Sequence, residues 1–222
     1  MSKPYPGCHP WDVTPARARA IQEELRALVI CEDQLPEVRF VAGVDVGFEQ
    51  KNTITRAAVA VLSFPGLELV ESSIARQATT FPYIPGLLSF REIPVVLEAL
   101  DHIRQTPDLI LCDGQGIAHP RHFGIACHLG VLTNIPSIGV AKSRLVGTHD
   151  EVPQNKGTYV PLMYHGEQIG AVLRTRDGVK PLYISPGHKI SLESSIHYVM
   201  QCLTRYRLPE TTRWAHRLAS GA

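Results

Sequence analysis

Three acidic residues far apart in the chain, Asp45, Glu92 and Asp113, have the type and setting that suit a hard divalent cation. Asp45 interrupts the apolar run Val41-Ala42-Gly43-Val44-Asp45-Val46-Gly47-Phe48, and a carboxylate inside such a strand is costly unless it is paired or metal-bound. Asp113 ends the run Leu109-Ile110-Leu111-Cys112 and opens the glycine-rich loop Asp113-Gly114-Gln115-Gly116. Ligands of open α/β sheets gather at the carboxyl ends of strands, so an acid there is well placed for function. Taken singly, each aspartate fits a turn-forming residue equally well. Glu92 stands at the start of a predicted helix, where the helix dipole alone would favour an acid, and only the company of the two aspartates suggests a third carboxylate of one site. Oxygen donors without thiolates and with little histidine point to magnesium rather than zinc.

Other residues could serve such a centre. Lys142 follows the buried run Ser137–Ala141 and continues into Arg144, where it can pair with a metal-bound acid or meet a phosphate. His119 shares a loop with Asp113. His216, close to the end of the chain, reads from sequence alone as an ordinary surface residue. Between a strand and a helix, Thr79 to Phe90 carries two aromatics, two prolines and a glycine at its centre, Phe81-Pro82-Tyr83-Ile84-Pro85-Gly86. Prolines stiffen a loop, and a stiff loop can hold an apolar wedge against stacked bases. The alternative is a buried crossover in which Tyr83 and Ile84 fill the core.

The elements that must position these groups alternate along the chain. A helix is predicted over Ala16–Val29 after Thr14-Pro15, with Ile21, Leu25 and Leu28 at helical spacing. Strands follow over Arg39–Phe48, Thr55–Phe64 and Leu67–Ala75, joined by short turns into an antiparallel meander. Then come a helix over Phe90–Arg104, a strand over Leu109–Asp113, a helix over Phe123–Thr133 and a strand over Ser137–Ala141, which is βαβ organisation. A hairpin over Gly157–Tyr164 and Gln168–Thr175, a strand at Leu182–Ser185 and a long helix over Ser191–Tyr206 complete the reading. The expected fold class is α/β, a mixed central sheet flanked by helices, within one domain spanning 1–222.

Composition sets bounds on function. With 22 basic and 21 acidic residues, a net charge of +1 neither demands nor excludes nucleic acid, but acidic residues crowd the first half, which leaves the second half the more basic. Five scattered cysteines form no C-x-x-C pair and imply neither a disulfide framework nor a zinc cluster. The start MSKPYPGCHPWD lacks the apolar stretch of a signal peptide, and no run reaches the length of a membrane span. A cytoplasmic protein without membrane contact is the expectation.

The segments GVDVGF (43–48), PYIPGLLSFRE (82–92), DGQGIAHPR (113–121), IGVAKS (138–143) and RLPETTRWAH (207–216) resemble, in order, the motifs of the endonuclease V family. That resemblance implies an RNase H-like fold and a Mg²⁺-dependent repair endonuclease, with Mn²⁺ able to substitute. It implies cleavage of deoxyinosine-containing DNA at the second phosphodiester 3′ to the lesion, leaving a 3′-hydroxyl and a 5′-phosphate. The family's metal acids fall on Asp45 and Asp113, with Glu92 either ligating a second ion or orienting its waters. Lys142 falls beside the reacting phosphate, and His216 matches a histidine found near the metal in some members. The wedge falls on Tyr83, Ile84, Pro85 and Gly86, and the pocket for the extruded base on Leu88, Gly114, His119, Gly124, Ile125 and Gly139. Inosine-containing RNA stays open as a second partner, and a monomer is expected. Two rival readings remain: an actin-like or sugar-kinase phosphotransferase, whose phosphate loops GVDVG and DGQG resemble, and a lesion-binding module that does not cut.

Overall fold

The structure, a computed structural model, describes residues 8–221, so residues 1–7 of the stretch read against a signal peptide lie outside the described residues. Helix α1, Pro15–Arg26, starts where expected: the Thr14 side chain accepts the Arg17 N–H, and Pro15 occupies a position whose N–H would have no helical partner. Ala18, Ile21 and Leu25 turn inward on one face.

Strands β1 (Phe40–Glu49), β2 (Ile54–Ser63) and β3 (Leu69–Ala78) form the antiparallel meander. Helix α2, Ser89–Asp101, leads to β4 (Leu109–Cys112), and α3 (Ile125–Thr133) to β5 (Ser137–Ala141). β4 pairs in parallel with β1 on one side and with β5 on the other. The hairpin β6 (Tyr159–Tyr164) and β7 (Glu167–Leu173) joins β8 (Leu182–His188), which pairs antiparallel with β5. The eight strands make one sheet in the order β3-β2-β1-β4-β5-β8-β7-β6.

Side chains alternate across this sheet, as period-2 geometry requires. Ala42, Val44, Ile110 and Cys112 face α2 and α3, while Val41, Leu109, Leu111 and Val140 face the other layer. That second layer corrects the reading of the C-terminus. Instead of one helix over Ser191–Tyr206, α4 runs only over Leu192–Gln201, and a further helix, α5, spans Glu210–Ser220. The Cys202 carbonyl closes the turn between them by accepting the Glu210 N–H at 2.8 Å. Strand β8 also runs three residues beyond its expected end at Ser185.

Candidate metal centre

β1 and β4 run side by side, with Val44 opposite Cys112 and the Asp113 N–H bonded to the Val44 carbonyl at 3.1 Å. The next residue along each strand is therefore an acid: Asp45 and Asp113 emerge together on the α5 side of the sheet. Both carboxylates are only 12% exposed. Asp45 Oδ1 accepts its neighbour's Val46 N–H at 2.8 Å, and Oδ2 accepts from His216 Nδ1 at 2.8 Å. Asp113 Oδ2 is paired with Lys142 Nζ from the end of β5, the neighbouring strand.

His216 arrives because α5 lies directly on β1. A Cβ at Gly43 would stand 2.0 Å from the Thr211 carbonyl oxygen, and one at Gly47 would stand 2.6 Å from that of Ala219. Gly43, Asp45 and Gly47 share one face, so the two glycines admit the helix backbone and the acid between them meets its histidine. This packing also removes the rival phosphate-loop reading of GVDVG, since the space over both glycines is filled by α5.

Electrostatics mark these acids as strained for a cation. Burial, then the Asp113 charge, pushes the Asp45 carboxyl above the usual carboxylate range, against the opposing pull of His216, Val46 N–H and Lys142. Glu92, in the first turn of α2, is raised to about 8 by burial first and by the charges of Asp45 and Asp113 second. One ligand atom each from Asp45, Asp113 and His216 lies within 4.8 Å of the others. Glu92 falls outside that close set but senses both charges. The donor set fits a divalent ion: two crowded carboxylates, one hydrogen-bonded to the His216 ring and the other paired with the Lys142 ammonium, with a third acid beside them. Taken by itself in the sequence, His216 reads as a surface residue; the fold sets it on Asp45, at the metal side where the resemblance puts a histidine.

A cavity of about 390 Å³ opens beside Asp113, Glu92 and Lys142. Leu88, Gly114, His119, Gly124 and Ile125 line it, as do Pro85, Gly86 and, at the mouth, the exposed ring of Tyr83. Two expected members lie elsewhere. Ile84 packs toward α1 and Phe123, and Gly139 lies beneath the 114–116 loop, where a Cβ would stand 2.2 Å from the Gly116 nitrogen. His119 is buried and held to about 4, chiefly by burial and then by the Arg121 charge, so it is neutral near pH 7. The opposite wall, Ser143 to Leu145, was missed, as was Gln115, whose amide donates to the Ser143 carbonyl at 3.0 Å. The run Lys142-Ser143-Arg144 was the available signal; no periodicity announces a loop wall.

A family model described as Endonuclease V matches residues 23–217. An endonuclease V of Trichormus variabilis is 64% identical over 213 residues, 96% of each chain. The crystal structure of endonuclease V from Streptomyces avermitilis superposes with a TM-score of 0.91 at 43% identity, over 95% of this chain and 93% of that one. A Ciona intestinalis endonuclease V crystallised with DNA containing an inosine followed by a ribo-adenosine aligns with a TM-score of 0.82 at 29% identity, over 94% and 98% of the two chains. The crystal structure of A. aeolicus Argonaute shares the fold alone, with a TM-score of 0.52 at 13% identity over 85% of this chain and 29% of that one. The architecture is RNase H-like, a mixed sheet with helices on both faces.

Proposed function

This chain belongs to the endonuclease V family of phosphodiester hydrolases, and we propose that it cuts DNA carrying deoxyinosine, using Mg²⁺ held by Asp45 and Asp113. Mn²⁺ is the expected substitute. The observation that carries the reading is the adjacency of this acid pair to a base-sized cavity with an exposed aromatic at its mouth. Volumes of roughly 300–1,000 Å³ are typical of pockets that enclose a small organic ligand, and an extruded base is one.

In the proposed mechanism, Tyr83, Pro85 and Gly86 form the wedge side of the cavity, with Ile84 anchoring their loop in the core. Tyr83 takes the place the base vacates in the stack. Leu88, Gly114, His119, Gly124 and Ile125 receive the base, and Gly139 supports the loop that carries Gly114. Neutral His119 contributes no charge to the pocket. Asp45 and Asp113 would hold the divalent ion, which when bound would supply Lewis acidity toward the phosphoryl group and lower the pKa of a water. Glu92 gives a further acidic oxygen once a cation offsets the two aspartates. Lys142, paired with Asp113 at the cavity edge, offsets charge that grows on the phosphoryl oxygens. His216 orients the Asp45 carboxylate and is available as a ligand.

We place the cut at the second phosphodiester 3′ to the lesion, leaving a 3′-hydroxyl and a 5′-phosphate. We propose a monomeric, single-domain enzyme over residues 1–222 acting in the cytoplasm, a setting that suits five free cysteines, two of them exposed. No helix among the described residues is long and apolar enough to cross a membrane. Inosine-containing RNA is the second substrate to test. Incubation of a labelled deoxyinosine strand with Mg²⁺, and in parallel with EDTA or with Asp113→Ala, tests the reading. Cutting with Mg²⁺ alone supports it; cutting in EDTA overturns the metal mechanism, and binding without cutting supports the lesion-binding module instead.

A further inference from the structure

The carbonyl oxygen of Gly86, at the end of the Tyr83 loop, is met by three side-chain donors. Gln22 Nε2 lies at 3.1 Å, His119 Nε2 at 3.0 Å and Arg121 Nη2 at 2.6 Å. A carbonyl offers two lone pairs, so this convergence exceeds what satisfying one buried acceptor needs. The His119 tautomer follows from its neighbours: Nδ1 accepts the Arg121 N–H at 3.2 Å, leaving Nε2–H to donate to Gly86.

Gln22 is the member that ties two segments of the cavity lining together. It is fully buried in α1, a helix that supplies no group to the metal centre, and lies just before the residues matched by the family model. Its amide nitrogen also reaches the Phe123 carbonyl at 3.3 Å, next to Gly124 of the pocket lining. Its amide oxygen accepts Arg121 Nε at 2.6 Å. Burying an amide costs free energy unless its bonds are met, and an apolar side chain of similar size would fill this space without them. What the amide adds is a fixed geometry between the loop at Gly86 and the strand-to-helix turn at Phe123.

We propose that Gln22 is a positioning residue for base extrusion: through the Gly86 carbonyl it holds the Tyr83 loop at a set distance from the pocket that receives the base. The inference rests on the wedge and cavity reading above. A loosened loop still leaves the metal centre in place, and with it the Gly114, Gly124 and Ile125 side of the pocket, held by the Gly124 N–H to the Gly116 carbonyl and the Ala126 N–H to the Gln115 carbonyl, so the defect falls on the step that opens a base pair and spares a base that is already unpaired.

The test compares cleavage of one deoxyinosine in a duplex with cleavage of the same deoxyinosine in a single strand, for wild type, Gln22→Met and Gln22→Glu. Met keeps the volume and removes every polar contact. Glu keeps an acceptor for Arg121 and turns the donor toward Gly86 into an oxygen. Both variants are expected to slow duplex cleavage about 10-fold while leaving single-strand cleavage within about twofold, because unpairing and unstacking cost a few kcal/mol only in the duplex. Equal loss on both substrates would make Gln22 a residue of the core and overturn the proposal, as would no loss on either. If the wild-type chain cuts neither substrate, the functional reading itself fails and the inference falls with it.

Discussion

Asp45 has to be close to Asp113 to share a cation and yet remain ionised in its absence, and the two demands oppose each other. A hydrogen bond from His216 to Asp45 and the Lys142 ammonium on Asp113 oppose that repulsion. Replacing either aspartate by asparagine should lower Mg²⁺-dependent cleavage by about 10³-fold, whereas His216→Ala should cost only about 10-fold and raise the Mg²⁺ concentration needed, as loss of an outer partner does. Steady-state rates across a Mg²⁺ titration distinguish the two classes. Glu92 yields a pH test. Its carboxyl is raised from the ordinary 4.5 to about 8, so between those values the folded, metal-free chain holds a proton that the unfolded chain has released. Metal-free stability therefore falls as pH rises through that window. His119 and His188, both lowered to about 4, act with the opposite sign, losing stability as pH falls from about 6.5 toward 4. His9, His122 and His128 are lowered as well and add to that sign, so the histidine contribution fades above about 6.5 while the opposite one of Glu92 continues to about 8, and the fall in melting temperature toward pH 8 should flatten in Glu92→Gln. The two aspartates were legible in sequence because each ends or interrupts an apolar run. Glu92's charge state was not, because its causes are burial in the folded chain and, second, the charges of acids 47 and 21 residues away in the chain.

Helix α5 decides whether the centre is complete. Its backbone rests on Gly43 and Gly47, so Gly43→Ala would drive a methyl group into the Thr211 carbonyl and lift the helix that carries His216. Thermal unfolding should show a loss of about 1–3 kcal/mol, the usual cost of overpacking. The same variant should imitate His216→Ala in its Mg²⁺ titration; a stable variant with a normal titration would mean that α5 does not set the centre. The meander and the βαβ unit could be read from apolar runs and turn residues, since strand order there follows chain order closely. The C-terminal layer could not. Apolar spacing carries past Gln201 without a glycine or proline until Pro209, while the break at Cys202 is made by its bond to Glu210. Pro209, Glu210 in a first turn and Gly221 in the left-handed conformation are local signals that do delimit α5.

At the scale of the whole molecule, a net charge of +1 means that affinity for a polyanion has to come from where the cations sit. Lys142 and Arg144 both line the cavity, and Arg207 braces the Lys142 carbonyl at 3.3 Å. Arg144→Ala should weaken binding to a deoxyinosine strand at low salt and reduce the slope of log affinity against log salt by about 1, as expected for one lost phosphate contact. Fluorescence anisotropy at several salt concentrations measures it, and an unchanged slope would place Arg144 away from the backbone. The charge sum was silent on this point, while the scarcity of acidic residues in the second half was informative because that half supplies the Lys142 loop and α5. The central claim, that Asp45, Glu92 and Asp113 form a metal centre that cuts beside an extruded deaminated base, is tested most directly by mapping the products of one end-labelled strand with a single deoxyinosine. With Mg²⁺, the predicted product ends in a 3′-hydroxyl one nucleotide beyond the lesion, and it is absent with EDTA or with Asp113→Ala. A product of the same length in EDTA, or cutting that ignores the deoxyinosine, would contradict the account.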